Sequence, residues 1–181
     1  MIGVKGAENL KLIITTDVGL EKLVCIDVEN IFLLSSIAIS CIPLENSGIS
    51  AILSVDSVDP FYLAKIVSSR YVRGYWAIPI QRVCRASYEE IAKASIELLL
   101  ISTINRPSRI IGVCRKRGWC VDSCSSLLRY IGSIIESLGI AEVDFHSYEY
   151  VLRIEVIQNI AGLTLYRRGY EDLFRIRKLF R

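Results

Sequence analysis

Between Leu10 and Val83 the chain alternates short β-branched runs with helix-start signals, and this alternation limits the available folds more than any other feature of the sequence. LKLIIT at residues 10–15 has the β-branched content of a strand. Asp17 stands where a helix cap belongs, ahead of Leu20, Leu23, Val24, Val28 and Ile31 at helical spacing. The apolar runs Ile37 to Pro43 and Ile49 to Val55 are separated by LENSG, whose residues have turn chemistry, and together they read as a hairpin. Asp59-Pro60 supplies an N-cap followed by proline at the first helical position, opening a helix to about Ser69. Tyr75 to Val83, YWAIPIQRV, closes the unit as one strand in which Pro79 marks a sheet edge.

The resulting order, strand-helix-strand-strand-helix-strand, is that of a ferredoxin-like domain, assigned to residues 1–84. Residues 85–181 then form a second α/β domain. Ser87-Tyr88-Glu89-Glu90 is a capping box ahead of IAKASIELLLISTI, and Pro107 predicts that this helix stops near Asn105. Arg109 to Lys116 is apolar on both faces as far as Cys114, which predicts a central strand. The helix from Ser123 to Leu138 is predicted to bury Cys124, Leu127, Leu128, Ile131, Ile134, Ile135 and Leu138, leaving Ser125, Ser126, Arg129 and Ser133 outside. After a C-cap at Gly139, strands are expected at Val143 to Phe145, Tyr150 to Ile157 and Leu163 to Tyr166. The basic amphipathic tail YEDLFRIRKLFR reads as a short closing helix or a flexible end.

Between the strand at Arg109 and the helix at Ser123 lies Arg115-Lys116-Arg117-Gly118, read as a basic turn feeding a helix N-terminus. Unpaired N–H groups and the positive end of the helix dipole at such a place suit a phosphate. Charge points the same way: residues 1–84 hold 7 Lys/Arg against 8 Asp/Glu, whereas residues 85–181 hold 15 against 11. The second half therefore faces a polyanion, nucleic acid ahead of membrane. The longest uncharged run, Asn30 to Leu44, is broken by serines and falls short of the ~18 residues a membrane helix needs. No signal segment opens the chain, so a cytoplasmic protein with no membrane partner is expected.

Six cysteines are scattered rather than paired as C-x-x-C, which argues against a zinc knuckle and predicts mostly small core residues. The heavy use of isoleucine and arginine with two glutamines resembles the composition of hyperthermophile proteins, among which intracellular disulfides occur, and Cys114, Cys120 and Cys124 lie near enough for one bridge. No cofactor and no metal site are expected. The one histidine, His146 beside Asp144, has no second histidine to complete a ligand set.

Two stretches carry a family resemblance. TTDVGLEKLVCIDVEN, residues 15–30, looks like the opening of the ferredoxin-like domain that precedes THUMP domains. IIGVCRKRG, SSLLRYIGSIIESLG, AEVDF and VLRIEV resemble the THUMP domain itself: a strand, a basic turn, a helix with an Ile-Gly pair, then V-D-L-like and V-E-V-like strands. The last part, from Val143 to Phe180, is similar to stand-alone THUMP proteins that assist tRNA cytidine acetylation. The resemblance implies tRNA binding near the acceptor stem and 3′ CCA end, and presentation of that tRNA to a catalytic domain. Only 15 residues follow Tyr166, so the expectation is a non-enzymatic adaptor that delivers tRNA to a separate RNA-modifying enzyme, an RNA acetyltransferase. The chain departs from the adaptor pattern at His146 to Glu149, where Asn-Pro-Asp is usual, and at Arg175-Ile176-Arg177 near the end.

On these grounds the candidate RNA-binding residues are Arg115, Lys116, Arg117, Gly118, Trp119, Ser125, Arg129 and Arg73. Guanidinium grips phosphate bidentately, and each bound cation releases counterions. Trp119 either stacks on an exposed base or covers the core edge. Arg129 either extends the patch or is a solvated side chain, while Arg73, with Tyr75 and Trp76, either lines a groove or packs. Arg167 and Arg168 follow the last strand as a further basic pair. Two other functions compete with tRNA delivery: a structural subunit of an RNA-modification complex that docks through the tail, and a small thiol or metal enzyme built on Cys114, Cys120, Cys124 and His146. Against the enzyme, no base is paired with a cysteine and no Gly-rich nucleotide loop is present.

Overall fold

The computed structural model describes residues 7–33, 35–102 and 107–176. It divides into two compact units, one running to Ile80 and resumed at Glu171, the other spanning Gln81–Tyr170. The division falls at Ile80, within the run expected to be a single strand, and the chain after Tyr170 is counted with the first unit rather than the second.

The first unit is built from β1 (Leu10–Thr15), α1 (Glu21–Phe32), β2 (Ser40–Leu44), β3 (Ile49–Leu53), α2 (Pro60–Ser68) and β4 (Trp76–Pro79). Its four strands lie in the order β2-β3-β1-β4, every neighbouring pair antiparallel, which is the split β-α-β arrangement. Both helices pack on one face, α1 over β2 and β3, α2 over β4 and β1. The α2 cap is as predicted, Asp59 accepting from the Phe61 N–H with Pro60 at the first turn. Pro79 sits on β4, an edge strand, where its missing N–H leaves no ladder bond unmade.

Helix α1 starts differently from expectation. Its N-cap is Leu20, without a side-chain cap bond, while Asp17 accepts instead from the Tyr75 hydroxyl. Glu21, 3% exposed, does the local capping work: Oε2 accepts from the Gly19 N–H, and Oε1 accepts from Ser47 and Gly48 in the β2–β3 turn. The buried stripe is consequently Val24, Cys25, Val28 and Phe32, with Leu23 turned outward. Cys25 is joined to Cys41 on β2 by a disulfide.

The second unit holds β5 (Arg82–Arg85), α3 (Tyr88–Ser102), β6 (Ser108–Arg117), α4 (Cys124–Ser137), β7 (Ala141–Val143), β8 (Tyr150–Ile157) and β9 (Ile160–Arg167). The sheet order is β5-β9-β8-β6-β7, with β6 parallel to both β7 and β8 and the remaining pairs antiparallel. β6 is thus an interior strand, as its two-faced apolarity predicts. Helices α3 and α4 pack over the face that presents Ile110, Leu152, Ile154, Val156, Ala161, Leu163 and Leu165. From α4 this core takes Leu127, Ile131 and Ile135, each burial contributing about 1.5–3 kcal/mol. Leu138 is 59% exposed, because it is the helix C-cap and lies past the packed turns. The Ser87 hydroxyl accepts from the Glu90 N–H at 3.3 Å, which forms the expected cap of α3; the predicted end of that helix near Asn105 lies outside the described residues.

The run 75–83 is two strands, β4 pairing with β1 and β5 with β9. At the junction the Ile80 N–H still donates to Lys11, while the Gln81 N–H donates to Leu163, so the hydrogen-bond partner changes between adjacent residues. The tail forms a 3-10 turn over Tyr170–Phe174. Phe174 and Ile176 are buried in the first unit, Phe174 against Phe61, and the Ile176 N–H donates to the Tyr75 carbonyl. Apolar residues spaced two apart in LFRI therefore serve the core of that unit. The two sheets and four helices match the THUMP-like α/β arrangement that the resemblance implied. Among the described residues no helix is long and apolar enough to cross a membrane.

Candidate nucleic-acid interface

Arg115, Lys116 and Arg117 are the last three residues of β6, so the basic triplet is strand rather than turn. The reason is its neighbour: β8 runs parallel alongside and pairs as far as Arg117 with Ile157, and the Gln158 N–H donates to the Arg117 carbonyl at 3.1 Å. Ladder bonds carry the strand beyond the point where its composition turns polar. Alternation then divides the three side chains between the faces. Cys114 packs with the helix-side core, and so Lys116 lies on that side while Arg115 and Arg117 lie on the other.

Each cation has a different partner. Lys116 Nζ donates to the carbonyls of Val121 and Asp122, at 2.9 and 2.8 Å, and straps the following loop to the strand. Arg117 donates to Glu155 Oε2 at 3.3 Å, and Glu155 is completely buried, its other oxygen held by Arg153 at 2.8 and 2.9 Å. Arg115 is exposed and makes no hydrogen bond or ion pair among the described residues. Its guanidinium is the one member of the triplet that is fully available to an incoming anion. At Gly118 a Cβ would stand 2.7 Å from the Gln158 carbonyl oxygen, so the chain passes the β8–β9 turn at a distance only glycine permits. Trp119 follows at 84% exposure and covers no core edge.

A disulfide between Cys114 and Cys124 ties the end of β6 to the first residue of α4, with their Cα atoms 5.4 Å apart. Arg115 to Ser123 form the closed segment between them. Helix α4 begins at Cys124, later than the basic residues, and its N-cap is Ser123, whose hydroxyl accepts from the Ser126 N–H at 3.0 Å. Ser125 and Arg129 are exposed on its first two turns. Residues 115–119, Ser125 and Arg129 are therefore gathered around one cross-link. Four of the six cysteines form bridges, contrary to the expectation of small core thiols; Cys120 is free and exposed, and Cys84 is free, its thiol pushed up to about 12 chiefly by burial.

Arg73 belongs to the first unit and is engaged there. Its Nε and NH2 donate to both oxygens of Asp27 at 2.9 and 2.6 Å, and its N–H donates to Asp27 as well, holding that carboxyl below its ordinary range. His146 lies in a loop ordered by Asp144, which accepts from the N–H groups of His146 and Ser147. The second basic pair divides: Arg167 is exposed, while Arg168 stacks on Tyr148 and donates to the His146 carbonyl. Among the described residues no group of three His, Cys, Asp or Glu is placed to hold a metal. Glu155 was missed by sequence reasoning, although Arg153 and Glu155 two residues apart in the apolar run YVLRIEVI share a strand face and signal a buried pair.

No protein-family model matches the chain, and no curated protein matches it. Solved structures do. PH1313 from Pyrococcus horikoshii superposes with a TM-score of 0.71 at 14% identity, over 87% of this chain and 54% of that one. A 4-thiouridine synthetase in complex with RNA and ATP matches with a TM-score of 0.56 at 15% identity, over 87% of this chain and 41% of that one. A predicted N6-adenine-specific DNA methylase from Listeria monocytogenes matches with a TM-score of 0.54 at 12% identity, over 89% and 41%. The chain spans about half the length of these structures, and what they share with it is the fold.

These matches correct the expectation that the protein is not an enzyme. Two of the three chains carrying this fold are described as a synthetase and a methylase, each more than twice the matched length. The shortness of the segment after Tyr166 therefore carries no conclusion about catalysis.

Proposed function

We propose that this chain binds tRNA and positions it for chemical modification. The observation that carries the reading is the cross-linked cationic segment at the β6–α4 junction. One unpartnered arginine, an exposed tryptophan and a capped helix start are held together there by the Cys114–Cys124 bridge and the Lys116 strap. Arg115 and the first-turn N–H groups of α4 supply phosphate contacts that fix orientation without reading sequence, and Trp119 supplies a stacking face. Support also comes from the shared fold, since one structure with it is a complex with RNA. The sequence resemblance names the acceptor stem and 3′ CCA end as the bound region and RNA acetylation by a separate enzyme as the chemistry served.

The test is tRNA binding across a salt series for the wild type and Arg115→Glu, with intact tRNA and tRNA lacking CCA. Removing one phosphate contact should weaken binding about tenfold and lower the slope of log K against log salt by about 1. Equal affinity and slope for the two proteins would refute the assignment of this segment. Co-purification with an RNA acetyltransferase, and stimulation of its activity on tRNA, tests the partner; a partner of different chemistry would replace that part of the reading and leave the RNA site standing.

A further inference from the structure

Beneath the N-terminal half of α4 lies a cavity of about 500 Å³, within the range of small-ligand sites. Its floor and walls are apolar, chiefly Ile110, Leu128, Val143 and Leu152. It exists because two glycines let α4 and the sheet approach without filling the gap between them. A Cβ at Gly112 would press on Leu128 at 2.6 Å, and one at Gly132 would meet Val143 at 3.2 Å. Phe145 stands at the cavity wall with 70% of its surface open, a flat aromatic face with little packed against it.

The polar groups in the lining are few and spaced. Arg129, seven residues before Glu136 on the same helix, lies about 10 Å from it along the axis. Arg129 makes no hydrogen bond or ion pair among the described residues, and Ser125, one turn earlier, is exposed. Glu136 uses Oε1 to accept from the Val143 N–H at 3.1 Å, while Oε2 has no donor among the described residues. A cation at one end, a carboxylate acceptor at the other and an aromatic slot between match a nucleotide laid along the helix: phosphate on Arg129 and Ser125, base on Phe145, base edge at Glu136.

From this we infer that the cavity is a nucleotide subsite for one unstacked base of bound RNA, selective for bases with an exocyclic amine. The carboxylate accepts from the amine of adenine, cytosine or guanine and meets only a carbonyl at the same edge of uracil. Recognition of an RNA base by aromatic stacking plus edge hydrogen bonds requires a splayed, single-stranded nucleotide. The inference rests on the proposed RNA-binding reading and adds a selectivity that phosphate contacts cannot provide.

The experiment is NMR titration of the protein with AMP, CMP and UMP, repeated with Phe145→Ala, Arg129→Ala and Glu136→Gln. AMP and CMP should shift the resonances of Phe145 and of the first two turns of α4, with UMP at least about fivefold weaker. Loss of the stacking face should weaken AMP about tenfold, and Glu136→Gln should erase the preference over UMP while AMP still binds. Absence of shifts with all three nucleotides, or binding indifferent to Phe145→Ala, would overturn it. The arms separate the two readings. RNA affinity lost in Arg115→Glu with no nucleotide binding sinks the subsite alone. Nucleotide binding with RNA affinity indifferent to Arg115 sinks the assignment of the cationic segment alone.

Discussion

Each unit contains one disulfide, Cys25–Cys41 in the first and Cys114–Cys124 in the second, and both join a helix residue to a strand residue across Cα separations of 5.3 and 5.4 Å. What they enclose differs. Between Cys25 and Cys41 the only charged residues are Asp27 and Glu29, and both are spent inside the unit, Asp27 on Arg73 and Glu29 on the Cys41 N–H. Between Cys114 and Cys124 there are three cations against Asp122, and one of them, Arg115, is left without a partner. A cation with a carboxylate in bidentate reach is structure; a cation held beside others by backbone straps is surface charge for something else. Sequence shows both as arginines in polar stretches, and only the neighbouring acid separates them.

The largest effect that would test this contrast is on Glu155, the buried acid that restrains Arg117. Glu155→Leu leaves Arg153 and Arg117 without their shared counter-charge in a fully buried place, and is expected to destabilise by about 3–5 kcal/mol. Urea unfolding measures it. A loss below about 1 kcal/mol would mean that Arg117 is not tied, and that the second unit offers two available arginines instead of one.

The bridges themselves come next. Replacing either pair of cysteines by serine should cost about 2–3 kcal/mol in the chain-entropy account, since the rings are of comparable size. Their consequences for RNA should differ. Cys114→Ser/Cys124→Ser should lower tRNA affinity several-fold at temperatures where the protein remains folded, whereas Cys25→Ser/Cys41→Ser should leave it unchanged. Cys120→Ser belongs in both backgrounds, because an exposed free thiol inside the ring can exchange with the bridge. Equal RNA affinity in the two double variants would dissolve the distinction between the rings.

Much of the fold was readable for identifiable reasons. Asp59-Pro60 and the Ser87 to Glu90 box are local chemistry, and both caps form. The two-faced apolarity of 109–114 marked an interior strand correctly. The failures were non-local. Residues 75–83 looked like one strand because period and propensity do not record that the ladder partner changes from β1 to β9. The basic triplet looked like a turn because its pairing with β8 comes from residues forty positions away. Asp17 had the chemistry of a cap but was taken by Tyr75, while Glu21, buried inside a helix start, was left to organise the hairpin turn. At the candidate site, the gathering of Arg115, Trp119, Ser125 and Arg129 depended on a bridge that cysteine spacing allowed without selecting.

A pair of charge reversals sharpens the contrast between the arginines. Arg73→Glu removes a bidentate partner and sets two carboxylates together, so it should lower stability and leave the salt slope of tRNA binding intact. Arg115→Glu should do the opposite, with stability within about 0.5 kcal/mol of wild type. If Arg73→Glu instead reduces the salt slope at full stability, its pairing with Asp27 is not its main function.

The smallest effect concerns acid. The Arg73 guanidinium, with help from the Arg73 N–H, holds the Asp27 carboxyl below its ordinary value, although burial opposes the shift. A carboxyl whose folded pKa lies below the unfolded value, about 3.9 for aspartate, adds stability at every pH above that unfolded value. This contribution drains away as pH falls through the folded pKa. Arg73 is more than a third exposed, so screening limits the pair to about 1 kcal/mol, the upper end for solvent-facing ion pairs. Stability measured by urea unfolding from pH 6 to pH 2.5 should fall less steeply below about pH 4 in Arg73→Met than in wild type, the two curves converging at the acid end. No such convergence is expected for Arg115→Met, because Arg115 has no carboxylate whose protonation it opposes. Parallel curves for Arg73→Met and wild type would show that the pair seen in the first unit carries no net charge coupling, and would leave position in the fold, rather than the presence of an acid, as what distinguishes the two arginines.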